Sequence, residues 1–286
     1  MDKKKIIFII GGLLLIAIII FLMFKLKEDK SENQSYKSNG DNDRTSSVSN
    51  ISNQNNELNS DTNKLNKNNS DKNGLVIKDV KKKYEDEKNA KKAYDPNGDF
   101  LFQINDVFTV IEKGTAVVGT ILRGSVKAGD EVQIVGLGEE RRNVKVIEIE
   151  ALNQQLDEKE AGEEELGIIL EDIQRDEVDK GQVLAKPNSI EAHKKFDAEI
   201  YMLTSEEKGR SEPILNGARL QYFFKNTDIT GTTNINGNIE QINPGDNNVK
   251  ITVELATSIA METGDYFAIR FGGRVLAHGY VTKIYE

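Results

Sequence analysis

The sequence predicts a mainly β protein, with two tandem β-barrels carried behind one transmembrane helix, a disordered tether and a short charged helix. Three observations predict it. Residues 100–286 break into short apolar runs of period two, separated by Gly, Asn and Asp turns with no helical stretch between them. An unbroken apolar run occupies Ile6 to Phe24. Between the two lies sequence made of Asn, Ser, Asp and Lys, in which apolar residues occur singly.

The chain opens with a short basic tail, residues 1–5, containing Lys3, Lys4 and Lys5. Residues 6–24 follow, and at roughly 1.5 Å rise per residue they span about 28 Å, close to the hydrocarbon core of a bilayer. The alternative is a cleaved signal peptide. Against it, the run exceeds a usual signal core, no small-x-small cleavage site follows, and no cysteine is present for lipidation. A short basic tail before a first apolar segment favours an inside N-terminus, with the barrels outside the cytoplasm at the plasma membrane. Lys25, Lys27 and Lys30 on the far flank keep the inverse topology open.

Residues 25–74 hold too little apolar surface to offset ordering entropy and read as a disordered linker, with an r.m.s. reach of roughly 40 Å. Residues 75–95 read as a charged helix, with Val76, Val80 and Tyr84 on one stripe and Asp95-Pro96-Asn97-Gly98 as its stop. The stripe is expected to pack on the first barrel. The lysines on its other faces (Lys78, Lys81, Lys82, Lys83, Lys88, Lys91 and Lys92) offer a second reading, docking to anionic lipid or wall polymer.

The first barrel is expected over 99–187. Its strands include Asp106–Ile111, Ala116–Leu122, Glu131–Val135 and Asn143–Ile147, with a turn at Lys127–Asp130. Lys186-Pro187-Asn188-Ser189 reads as the joint. The second barrel, 188–286, has strands from Phe196–Tyr201 to Tyr280–Tyr285, and turns at Pro244-Gly245-Asp246 and Thr263-Gly264-Asp265.

Composition narrows the function. The formal net charge is -9, and residues 100–286 carry 20 basic and 32 acidic side chains, which argues against broad nucleic-acid binding by the folded part. The absence of cysteine removes disulfides, Cys-based zinc sites and thiol nucleophiles together. No Gly-x-x-x-x-Gly-Lys-Ser/Thr phosphate loop occurs, so GTP binding and hydrolysis are not expected. His193 and His278 are isolated and read as structural or surface residues, and Glu163-Glu164-Glu165 reads as a solvated loop. No nucleophile–base–orienter spacing is present. The expectation is a protein that is not an enzyme and has neither cofactor nor metal.

Several strings carry a family resemblance. Asp106-Val107-Phe108-Thr109, Gly114-Thr115, Arg123-Gly124, Val126-Lys127 and Gly129-Asp130-Glu131-Val132 resemble the start of the second domain of elongation factor Tu. Lys180–Pro187 resembles its junction with the third domain. Thr227–Gly231, Pro244–Asn247, Phe267–Arg270 and Gly272-Gly273-Arg274 resemble that third domain. The resemblance is collinear over roughly Phe100–Glu286, and a membrane anchor and tether stand where the family's GTPase domain would precede it.

In the family, the second domain holds the aminoacylated end of tRNA and the third contacts its stem. The resemblance therefore implies an aminoacyl-end surface at Asp106, Phe108 and Glu150, and a stem surface at Arg210, Gly272, Gly273 and Arg274. This chain departs from the pattern at Asn105, Glu112, Asn153, Ser211 and Phe271, and its Gly162-Glu163-Glu164-Glu165-Leu166 loop is longer and more acidic. Loss of an Arg at Asn153 and gain of carboxylates work against a phosphate-rich ligand, so tRNA is an unlikely partner. Barrel packing alone is the favoured account of the retained residues. Three functions stay open: a membrane-tethered module for a protein or polymer partner, a translation-linked factor on the cytoplasmic face, or a competitor for the partners of elongation factor Tu.

Overall fold

The structure, a computed structural model, describes residues 74–90, 94–152 and 154–285. The basic tail, the apolar run 6–24, all but Gly74 of the linker 25–74, and Asn153 lie outside the described residues. Among the described residues, no helix is long and apolar enough to cross a membrane.

Six strands build the first barrel: β1 (Leu101–Val110), β2 (Gly114–Arg123), β3 (Glu131–Val135), β4 (Arg142–Ala151), β5 (Glu165–Leu170) and β6 (Val183–Ala185). They pair in the order β3-β6-β1-β2-β5-β4, and β4 returns to β3, so the sheet closes on itself. Closure removes the free edges that an open sheet would present. The alternation read from sequence places Phe102, Ile104, Val107, Val117, Ile121, Val132, Ile134, Val144, Val146, Ile149 and Ile168 in one core. Gly119 is required where β2 crosses β1, because a Cβ there would lie 1.9 Å from the Gln103 carbonyl oxygen.

The second barrel also has six strands: β7 (Glu191–Met202), β8 (Ala218–Phe224), β9 (Thr227–Ile235), β10 (Val249–Met261), β11 (Tyr266–Phe271) and β12 (Arg274–Tyr285). They form a closed barrel in the order β7-β10-β9-β8-β11-β12. Its core is aromatic. Phe196 meets Phe224 and Phe267 edge-on at 5.5 Å, and Tyr222 places its hydroxyl 2.5 Å from Thr233 Oγ1, satisfying the buried polar group.

The joint is a tight turn in which Ser189 N–H donates to Lys186 O at 3.0 Å. Leu101, Val135, Val183, Ala185, Ile190 and Ala260 form a shared apolar cluster between the barrels. Arg123 grips Glu262 through two bonds of 2.7 and 3.0 Å, and Arg141 pairs with Glu191 at 2.9 Å.

The helical expectation needs correction in length, facing and partner. Helix α1 covers Val80–Asn89 rather than 75–95, because the Asp79 side chain accepts from Lys82 N–H at 2.9 Å and caps it there. Leu75 to Lys78 lie outside the helix, with Leu75 N–H bonded to Thr282 O at 2.8 Å. Val76 is therefore 72% exposed, and Ile77 takes the buried place beside Val80. The segment packs on the C-terminal barrel, against Tyr201, Leu203, Val275 and Tyr280, and not on the first barrel.

Candidate functional site

The first candidate surface follows from strand register. Across four neighbouring strands, Val107 of β1, Val117 of β2, Ile168 of β5 and Ile149 of β4 are cross-strand partners, and all four enter the core. Side chains alternate across a strand, so the adjacent row, Asp106–Val118–Gly167–Glu150, faces outward. The next outward row is Phe108–Ala116–Ile169–Glu148. Asp106, Phe108 and Glu150 therefore share one outer face, with Asp106 and Glu150 three strand spacings, roughly 14 Å, apart.

The polar side chains of this face already have local partners. Asp106 Oδ1 accepts from Val107 N–H at 2.9 Å. Asn105 stands at a break in register between β1 and β2. It donates to Glu165 Oε1 at 2.9 Å, and its Oδ1 accepts from Gln103 and Asn226, each at 3.0 Å. It thus ties the first barrel to the second. Glu164 is paired with Lys159.

Glu150 is engaged by a residue that the motif comparison does not single out. Lys113, in the turn between β1 and β2, pairs with Glu148 at 2.8 Å and with Glu150 at 3.2 Å. Burial pushes the Glu150 carboxyl above its ordinary range, and the neighbouring Glu148 carboxyl adds to this. Burial acts on Glu148 in the same direction, but Lys113 outweighs it and holds that carboxyl below the range. Desolvation also works against the Lys113 charge, and the two carboxylates overcome it. The signal was present in sequence: acids two residues apart on one strand share a face, and a hairpin lysine is long enough to reach both.

The second candidate surface lies at the tip of the β11–β12 hairpin. Gly272 and Gly273 have φ of 57° and 79°, and Phe271 pairs with Arg274, which makes them the central residues of a type I′ turn. Nothing lies within 4 Å of a Cβ added to either, so within the fold only the positive φ of the turn calls for glycine there. Arg210 comes to the same tip, its guanidinium 5.7 Å from the Phe271 ring. It also donates to Glu212 O at 2.9 Å and Pro213 O at 2.7 Å, holding its own loop. Arg274 is exposed, as are Ser211 and Phe271. The structure thus gathers Arg210 and the hairpin residues, and leaves Arg274 as the cation facing solvent.

Of the two histidines, His193 is half-buried on β7. His278 is buried on β12, with Nδ1 2.6 Å from the Tyr266 hydroxyl and its ring stacked 3.7 Å from Tyr84 of α1. Burial, with Lys88 nearby, lowers its pKa to about 4, so the ring is neutral at pH 7.

Two family models match the chain. One describes elongation factor Tu domain 2 and matches residues 114–185. The other describes the elongation factor Tu C-terminal domain and matches residues 189–285. The break between them falls on the joint, and each match lies within one barrel. Glu150, Arg210, Gly272, Gly273 and Arg274 fall inside the matched stretches, whereas Asp106 and Phe108 precede the first one and join its face through β1. In these two barrels, the chain belongs to the elongation factor Tu family.

Proposed function

We propose that the two barrels form a non-catalytic binding module for a protein or polymer partner, displayed at the plasma membrane by residues 6–24 and the tether, with the barrels outside the cytoplasm. The observation that carries this reading is the Lys113–Glu148–Glu150 cluster. Glu150 matches the side chain that, in the family, lies against the terminal adenine, and here it is bonded within the chain. Lys113, the cation that reaches those rows, is matched by two carboxylates, and Glu163, Glu164 and Glu165 add acid along β5 and its approach. A phosphate-rich ligand gains little from such a face.

The direct test titrates aminoacylated and uncharged tRNA against the full chain in detergent at low salt. The expected result is no preference for the aminoacylated form at micromolar protein. Calorimetry with GTP is expected to show no binding at that concentration. Protease added to intact cells is expected to cut the barrels, and their protection would place them in the cytoplasm.

One observation favours a second reading. Asp106, Phe108 and Glu150 still share one outward face. A translation-linked factor on the cytoplasmic face would use it for weak tRNA, ribosome or elongation-factor-partner contacts. A preference for aminoacylated tRNA that disappears in Asp106→Ala or Glu150→Gln would overturn the first reading and establish this one.

A further inference from the structure

A flank of the C-terminal barrel, outside both surfaces above, carries a built contact that the family resemblance does not explain. Tyr201, Tyr280 and His278 are all buried there, with relative exposures of 2%, 1% and 6%. What covers them is residues 75–89. Ile77 and Val80 are buried in the joint cluster, and Tyr84 packs partly buried against it. The Tyr84 ring lies on His278, and Lys83 Nζ sits 4.1 Å from the Tyr280 ring centre.

The polar contacts are equally specific. Lys81 Nζ donates to the Tyr201 hydroxyl at 2.9 Å and pairs with Glu207 at 2.8 Å, while Tyr201 donates to the same carboxylate. Tyr280 donates to Glu87 at 2.6 Å. Asn247 and Asn248, just before β10, receive the entering backbone. Asn248 donates to Ile77 O at 2.7 Å, and Asn247 accepts from Lys81 N–H at 3.1 Å while donating to Asp79 at 2.8 Å. The groove therefore reads a sequence: an aliphatic residue, a second one three positions on with lysine directly after it, an aromatic four positions beyond the second aliphatic, and a carboxylate three after that. Ile77, Val80, Lys81, Tyr84 and Glu87 supply that pattern.

A ten-residue helix is marginal in water without its docking partner, and segments held by few buried side chains open before the fold does. We infer that this flank is a helix-docking site, closed in cis by residues 75–89, and that when this cover lifts the site accepts in trans an amphipathic helix of the same pattern. The partner chemistry is thus a short helix with an aliphatic–aromatic pair and a lysine that reaches Glu207, led in by a non-helical segment that carries one further aliphatic residue. Lipid headgroups are disfavoured as the ligand of α1, because Lys81, Lys82 and Lys83 are already paired with Glu207, Asp86 and Glu87.

The test uses the full chain in detergent and a fluorescent peptide spanning residues 74–90. Val80→Asp places a charge where a buried methyl pair sat, at a first-turn position where Asp suits the helix dipole, so it strikes docking rather than helix propensity. The V80D chain is expected to bind the peptide at least about tenfold more tightly than wild type, a difference of ~1.4 kcal/mol, with Glu207→Gln in the V80D background reversing much of the gain. On hydrogen exchange, α1 amides of the wild type are expected to exchange about 100-fold faster than those of β7 and β12, reporting opening of the cover alone. Equal peptide binding by wild type and V80D would overturn the proposal, and so would exchange of α1 in step with the strands. Should V80D lose its β circular dichroism, Tyr84→Ala repeats the measurement, and the same outcomes decide.

Discussion

The outward row of the first barrel and the covered flank of the C-terminal barrel are both sides of closed six-stranded barrels, yet they are finished in opposite ways. On the first, polar side chains of one surface satisfy one another: Lys113 lies across Glu148 and Glu150, and Asn105 across Glu165 and Asn226. On the second, tyrosines and a neutral histidine are sealed by a segment from elsewhere in the chain. A face closed by ion pairs on the surface is held by interactions that salt screens and that contribute little. A face closed by packing loses its stabilisation as a unit when the covering segment leaves. The contrast separates a surface that satisfies its own polar groups from one that a segment distant in sequence completes.

The largest expected difference comes from truncating one aromatic on each face. Tyr280→Ala removes a fully buried ring that supports both the barrel and α1, and is expected to cost about 3–5 kcal/mol. Phe108→Ala removes a half-buried ring on the outer row, and about 1 kcal/mol is expected. Urea unfolding followed by β circular dichroism measures both. Comparable losses would erase the distinction drawn between packed and surface closure.

Acidification sharpens the same comparison. His278 is neutral in the fold with its pKa near 4, whereas an unfolded histidine titrates near 6.5. Its stabilising contribution is therefore complete above about pH 6.5 and is lost as pH falls toward 4, when the unfolded chain takes up the proton first. At about 1.4 kcal/mol per unit of displacement, the loss by pH 4 is on the order of 3 kcal/mol. Glu207 is a control within the same contact. Burial opposes its charge, but Lys81, Tyr201 and Thr204 hold its pKa near 2, so its contribution is lost only below the ordinary carboxylate range. Stability measured from pH 7 to 4 is expected to fall in wild type, and much less in His278→Gln. Equal slopes would remove His278 from the account.

The first barrel has its own smaller electrostatic effect. Lys113→Ala leaves two neighbouring carboxylates without their cation. At pH 7 about 1 kcal/mol is expected, after discounting for the partial exposure of the lysine. The cost is expected to shrink below pH 4.5 as the carboxylates protonate. A cost that persists there would mean that the lysine stem, rather than its charge, packs the row.

Much of this was legible in sequence, and the exceptions have physical causes. Period-two alternation located most of the strands, since a closed barrel buries one face of every strand, and the Lys186–Ser189 joint falls where the two matched domains meet. The start of β1 at Leu101 was not separated from the turn before it, because Phe100, Leu101 and Phe102 are all buried and show no alternation. Helix α1 was read too long because Val76 falls on a helical stripe with Val80 and Tyr84, although it precedes the helix and is exposed. The distant carbonyl of Thr282 and the side chain of Asn248, which hold Leu75 and Ile77, leave no local trace. The grouping of Asp106, Phe108 and Glu150 followed from resemblance alone. What engages Glu150 comes from a hairpin turn 37 residues away, and it is found only by combining the alternation of one strand with the reach of a lysine beside another.

The smallest expected effect concerns the hairpin that gathers the second candidate surface. Gly272 and Gly273 are both left-handed and both open to solvent on the side where a Cβ would stand. Two reasons could place glycine there: the turn needs positive φ, or a ligand needs the backbone bare. Asn separates them, because it tolerates the left-handed region and Asn-Gly is a favoured pair in type I′ turns, yet it adds a side chain to the tip. Gly272→Asn is therefore expected to change unfolding free energy by no more than about 0.5 kcal/mol. Gly272→Val, β-branched and unsuited to positive φ, is expected to cost about 1–2 kcal/mol. With Arg274 exposed at the next strand start, any RNA affinity of this tip would fall with Arg274→Ala and also with Gly272→Asn, since the added side chain stands where a backbone approach would occur. If Gly272→Asn leaves both stability and tRNA titration unchanged, the pair is explained by the turn. A selective loss of RNA binding in the stable Asn variant would instead return this hairpin to the family's stem-binding role.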